Sequence, residues 1–272
     1  MGAMVMWGDT WSGRSYDLGR MSLKELWVAY WTYPAIMVYA ALAVIAAAAS
    51  VWFALQGMGS WTGVAAGVAL ASVVYPVAWY LIHRYILHGR WLYRMKWSAA
   101  MWKRVHFDHH QDPHKLDVLF GSLVNTLPTI AAVSSPFGYL VGGWAGAAAA
   151  LATGLATTCV YEFFHCIQHL NYKPKIEWVK RIKQLHMAHH FHNEDGNYGI
   201  IAYWPDRVLG SFYGEVRLKP RSPHVFNLGY DLEEAKRYPW VMELTGSPPR
   251  DRPPGAPQRA ADPANAQVAE AS

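Results

Sequence analysis

At 272 residues and a net charge of +5, the chain has room for one large domain or two small ones and is mildly basic. Its two cysteines, Cys159 and Cys166, exclude a disulfide framework: seven residues apart on one predicted helix, they stand about 10 Å from each other, too far to bridge. The mean hydropathy of +0.01 conceals a segregation that excludes an ordinary soluble domain. No Asp, Glu, Lys or Arg occurs from Leu26 to Ile82 or from Val118 to Tyr161, stretches of 57 and 44 residues.

In chain order, residues 1–25 read as an amphiphilic cytoplasmic lead-in rich in Trp and polar residues. They carry Asp9, Arg14, Asp17, Arg20, Lys24 and Glu25 ahead of an apolar region several times too long for a cleaved signal peptide. A spanning helix needs about 20 apolar residues, so each uncharged stretch holds two crossings joined by a tight turn. The first hairpin is predicted from Pro34 to Gln56, with a turn at Gly57–Ser60 and a return to Ile82. Trp27, Tyr30, Trp31 and Tyr33 at one end, and Trp52 and Trp61 at the other, suit the aromatic belts of a bilayer. The second hairpin runs from Val118 to Phe164 and breaks either at Ser135–Gly138 or at Gly142–Gly143. Residues 165–245 are expected to form a cytoplasmic cap, helical at first and then irregular. The Pro- and Ala-rich segment 246–272 has the composition of a disordered tail. The expectation is an all-α membrane protein: about four transmembrane helices as two hairpins, with a membrane-embedded domain over 26–245.

Orientation follows from charge. Seven Lys or Arg lie from Arg84 to Lys115 and nine from Lys173 to Arg221, while the candidate turns at Gly57–Gly59 and Gly142–Gly143 contain none. This places both basic segments and both termini on the cytoplasmic side. Basic residues flanking spans need only anionic lipid as a partner, so no nucleic acid is implied.

Twelve of the thirteen histidines fall in four clusters beside span ends. They are His83 and His88; His106, His109 and His110, with His114 behind; His165 and His169; and His186, His189 and His190, with His192 behind. Helical residues three and four apart share a face, so His106 is expected to sit with His109 and His110, and His186 with His189 and His190. His83 and His88 are five apart, about 140° around a regular helix, and must straddle a helix end or serve different metals. Ten patterned histidines exceed what one ion can use and point to a two-metal site. Imidazole suits iron, zinc and copper alike. A zinc-protease His-Glu-x-x-His box is absent, as is the Glu and Glu-x-x-His pattern of soluble di-iron bundles. Two readings from other classes use the same residues. A bis-histidine haem electron carrier needs only one pair per haem. A metal transporter places its ligands near the midplane, whereas these histidines sit at span ends.

The frame His83-x4-His88, His106-x2-His109-His110, His165-x3-His169, His186-x2-His189-His190 resembles the fatty acid hydroxylase superfamily, which includes fatty acid 2-hydroxylases and sterol desaturases. The segments Tyr161–His165, His189–Asn193, Asn197–Gly199 and Asp206–Ser211 resemble the corresponding family text, over residues 60–215 in all. The resemblance implies a non-haem di-iron centre held by those ten histidines. It also implies molecular oxygen as co-substrate and two external electrons, used to hydroxylate or desaturate an unactivated C–H bond of a membrane lipid. Hydroxylation of an acyl chain is the preferred reading, since the flanking motifs look closest to the 2-hydroxylases; desaturation is the alternative. His114, His192, Glu162 and Asp108 are candidates for orienting the ligands. No fused cytochrome b5 motif is found, so the expected electron donor is a separate reductase, ferredoxin or cytochrome. Lys173, Lys175, Lys180, Arg181 and Lys183 offer it a docking face or else read lipid headgroups.

Overall fold

A computed structural model of the protein describes residues 16–253. Among these residues every regular element is helical, and the only strand-like pairing is an isolated bridge between Asp17 and Lys115. Residues 1–15 of the predicted lead-in and 254–272 of the predicted tail lie outside the described residues. The first helix, α1 (Leu23–Trp31), starts at a capping box: Ser22 accepts from the Glu25 backbone while the Glu25 carboxylate reaches back to the Ser22 N–H at 2.8 Å. It buries Leu26, Ala29 and Tyr30 and leaves Trp27 and Trp31 exposed.

Then come α2 (Pro34–Leu55), opened by a proline at its first turn, and α3 (Trp61–Leu81), capped by the Ser60 hydroxyl. Two short helices follow, α4 (Trp91–Arg94) and α5 (Lys96–Trp102), and then the one-turn α6 (Asp108–Gln111). The long element α7 (Leu123–His169) is not straight. At Gly142 and Gly143 the backbone leaves the helical region, Gly143 with φ 59°, and the chain doubles back. Gly138 then faces Gly146 and Ala150, and Ile130 faces Gly154. Of the two candidate breaks, the reversal falls at the second because it needs a positive φ, which glycine supplies without strain. Pro136 stays inside a helical limb.

Among the described residues, three helices are long and apolar enough to cross a membrane: Pro34–Leu55, Trp61–Leu87 and Leu123–His169. With α7 folded on itself, they give four apolar limbs. Both limbs of the first hairpin pack along α7, where small residues let backbones meet. A Cβ on Gly63 would lie 2.5 Å from Gly142 Cα, and one on Gly67 2.6 Å from the Gly146 carbonyl oxygen.

The remaining chain covers one end of these limbs. It comprises α4–α6, α8 (Glu177–Phe191), α9 (Trp204–Val208), α10 (Leu232–Arg237) and α11 (Trp240–Thr245), with loops between. The region after α8, expected to be irregular, therefore still contains three short α-helices and a 3-10 turn at Val216–Leu218. Tyr93, Trp102, Phe107, Tyr230 and Val241 form a core joining α4 and α5 to α10 and α11. The lead-in ties the cap to the limbs. Leu18 N–H donates to the His114 carbonyl, and the Leu18 carbonyl accepts from Asn171 N–H just after α7.

Candidate metal centre

All ten patterned histidines converge at the capped end, in two groups of five. His83, His88, His106, His110 and His189 form one; His109, His165, His169, His186 and His190 form the other. Within each group the candidate ligand atoms lie within 4.8 Å of one another. All are buried except His88, which is half-buried.

The sequence boxes do not map one-to-one onto these groups. Neighbouring residues on a helix project about 100° apart, so His109 and His110 diverge, as do His189 and His190. Each pair therefore splits between the groups. Residues four apart stay together: His106 with His110, His165 with His169, and His186 with His190. The expectation that each box points one way is corrected accordingly. His83 and His88 join the same group by another device. Residues Ile82–Leu87 form a π-turn in which His88 N–H donates to the His83 carbonyl at 3.0 Å. That widened turn brings residues five apart into register, with ring centroids 4.9 Å apart. A second π-turn, Lys103–Phe107, carries His106.

A loop after α8 sets the rings of the His83 group. Nδ1 of His83 faces the Tyr198 carbonyl at 2.5 Å, and Nδ1 of His189 the Gly196 carbonyl at 2.7 Å. Nδ1 of His110 meets the Val225 carbonyl at 2.8 Å. A carbonyl only accepts, so each Nδ1 carries the hydrogen and each Nε2 presents its lone pair to the centre. The loop is itself pinned. Asn197 adopts φ 53° and exchanges side-chain hydrogen bonds with the Tyr213 backbone at 2.9 and 3.0 Å. Buried Asp206 accepts from Tyr198 N–H, Gly199 N–H and the Ser211 hydroxyl at 2.7–2.9 Å. Burial raises the Asp206 carboxyl, and these three bonds pull it back.

The donor set suits a pair of cations. Nε2 of His88 lies 3.2 Å from Nε2 of His83 and 2.9 Å from that of His106, and His169 and His186 face each other at 2.9 Å. The buried Nε2 atoms of His110, His189 and His190 have no hydrogen-bond partner. Burial pushes the imidazoles of His88, His106, His109, His186, His189 and His190 well below their ordinary range, and that of His110 down to about 3. Converging neutral lone pairs call for cations between them, and an all-nitrogen set matches first-row transition metals.

The other candidates sit further out. His114 Nδ1 donates to the His169 carbonyl, and His192 Nε2 to that of Lys219, so both tie backbone rather than a ligand ring. Glu162 is buried with Oε2 3.6 Å from His165 Nδ1. Asp108 pairs with Lys103 at 2.8 Å. Of the basic residues proposed for docking, Lys183 donates to the Leu170 and Ile167 carbonyls at the end of α7, and Arg181 to that of Gly214. These two are internal ties.

A cavity of about 220 Å³ adjoins both groups, touching His83, His106, His109, His165 and His186. Its other walls are mainly apolar, from Trp79, Ile82, Leu87 and Trp102 to Leu119 and Ile200. A smaller space of about 20 Å³ shares Trp79, Ile82, Thr126 and Thr129 with it and lies between α3 and α7, along Tyr75, Ala78, Trp79 and Ile82 on one side and Thr126, Thr129, Ile130 and Val133 on the other. Both sets follow the i, i+3, i+4, i+7 spacing of a single helix face. The sequence reading missed these residues; polar Thr126 and Thr129 within an apolar span were the one available signal.

The sequence profile of the fatty acid hydroxylase family matches residues 68–211, more than half of the chain. The protein belongs to the fatty acid hydroxylase family. The part matching that family begins in α3 and ends at Ser211, so it contains every histidine of both groups and the Asn197–Ser211 loop. A dihydroceramide fatty acyl 2-hydroxylase of Arabidopsis thaliana is 24% identical over 160 residues, covering 54% of this chain and 60% of that protein. The chain thus spans under two thirds of that relative's length. The hydroxylase domain of full-length Scs7p shares the fold, with a TM-score of 0.52 and 21% identity over 75% of this chain and 71% of that one.

Proposed function

We propose that this fatty acid hydroxylase family member is an oxygen-dependent hydroxylase acting on the acyl chain of a membrane lipid. The observation that carries the reading is the apolar cavity that touches rings of both histidine groups and shares walls with a smaller space between α3 and α7. A lipid chain lying in that seam stays in apolar surroundings from the bilayer to the centre. We assign the ten histidines as ligands of two irons. Bound there, the iron pair supplies oxygen activation and the breaking of an unactivated C–H bond. Overall, one atom of molecular oxygen enters the C–H bond and the other leaves as water, with two electrons from a separate donor and two protons from solvent.

The chain's own residues bind and position. Trp79 and Ile82 line the cavity, and with Leu119 and Ile200 they keep water from the rings that face it. The Gly196–Ser211 loop holds the His83 and His189 rings, so their Nε2 atoms point inward before metal or substrate arrives. We place the histidines and both termini at the cytoplasmic surface, because the basic residues lie on the capped side. There a soluble or membrane-bound redox partner has access.

Ala78→Trp tests the seam. The half-buried Ala78 has space beside it facing Thr129 and Val133, and an indole there fills the path. Lipid mass spectrometry of host membranes should show hydroxylated product reduced about tenfold or more, with bound metal unchanged. Unchanged product would take the lipid chain out of this seam. A product lighter by two hydrogens, rather than heavier by one oxygen, would make the protein a desaturase.

A further inference from the structure

We propose that Gln111 is a positioning residue for the His83 group, acting by clasping the C-terminal segment at Arg250 against the strand of chain that orients His110. This rests on the two-metal reading above and goes beyond it, since Val225 and Arg250 lie outside the residues that match the family.

Gln111 follows His109 and His110 at the end of α6, where the chain leaves the helix at Asp112. Its side chain is 6% exposed. The amide nitrogen donates to the carbonyls of Phe226 at 2.5 Å and Arg250 at 3.1 Å, while its oxygen accepts from Arg250 N–H at 3.0 Å. It thus grips both polar groups of one residue, as a neighbouring strand would. One position earlier, His110 Nδ1 donates to Val225. Successive side chains, His110 and Gln111, therefore hold successive carbonyls, Val225 and Phe226.

Residues 224–229 form turns, with Leu228 at φ 53° and Gly229 at φ 78°, closed by bonds from Asn227 and Leu228 N–H to the His224 carbonyl, while the Val225 and Phe226 carbonyls meet side chains of α6. Buried Phe226 meets Phe191 at one side, and the Gln111 amide fixes its carbonyl. In the His83 group, His83 and His189 are oriented by the Gly196–Ser211 loop, and His110 by this second, separate support. The clasp bears on the His83 group alone, because His109, on the same short helix, has an Nδ1 without any such carbonyl.

The test uses the full chain loaded with metal, the variants Gln111→Leu and Arg250→Pro, and the kinetics of metal loss to a chelator. Arg250→Pro deletes the N–H that Gln111 accepts. Outer partners of metal ligands typically change affinity by about 10–100-fold. One of the two metals should therefore leave about tenfold faster in Gln111→Leu, with a smaller effect in Arg250→Pro, while the other metal leaves at the wild-type rate. The double variant should be no faster than Gln111→Leu alone, since both changes open one clasp. Acceleration of both metals together would mean a general loosening of the cap. That result, or wild-type release of both, or effects that multiply, would overturn the proposal. A wild-type protein that never retains two metals would instead fail the two-metal reading itself.

Discussion

Replacing His109 or His189 by alanine is expected to abolish turnover while leaving the protein inserted in the membrane. Each belongs to a different group, so the pair tests both centres. His109 lies with ring centroids 4.5–4.8 Å from His165, His169 and His190. His189 lies at 4.8–5.2 Å from His83, His88 and His110. Neither residue is in a candidate span, so the apolar limbs that drive insertion are untouched. Loss of a ligand removes the several kcal/mol that a bound metal contributes to the reaction, which corresponds to a fall of about a thousandfold or more. Metal content should drop from two towards one per chain in each variant, and membrane fractionation should match wild type. Retained turnover in either variant would remove that histidine from the ligand set.

The second large effect concerns the metal. Protein purified without oxygen should carry about two irons per chain. Replacing them with zinc should preserve the fold and abolish turnover. The nitrogen donors accept either ion, so the two groups should hold zinc as they hold iron and keep the cap in place. Zinc has no redox chemistry, so only the reaction is lost. Metal analysis alongside turnover separates the cases. A stable zinc-only protein with full activity would contradict the oxygenase reading.

Much of the fold was legible because the bilayer imposes a simple rule. Uncharged runs of sufficient length become spanning helices, and Pro34, Ser60 and the Gly57–Gly59 turn mark their ends. The convergence of four histidine boxes was legible from their common place at span ends. The division of those boxes was legible only in part. The split of His109 from His110 and of His189 from His190 follows from the about 100° step of a helix, but the joining of His83 with His88 depends on the π-turn Ile82–Leu87, whose residues carry no distinct pattern. The carbonyls of Gly196, Tyr198 and Val225 were hidden for a different reason: every residue has a carbonyl, and only tertiary structure selects the one that meets an imidazole. The Asn197–Gly199 and Asp206–Ser211 segments were visible as motifs, and the structure gives them a physical task. Asp206 and Asn197 hold the loop that aims His83 and His189.

The proposed reaction inserts oxygen into a lipid lying in the cavity beside the two histidine groups. Its most direct test is lipid mass spectrometry of cells expressing the wild-type chain or His109→Ala, grown under isotopically labelled molecular oxygen. An acyl lipid should gain one labelled oxygen atom with the wild-type chain and not with the variant. An unlabelled oxygen in the product, or the same labelled lipid from both cultures, would contradict it.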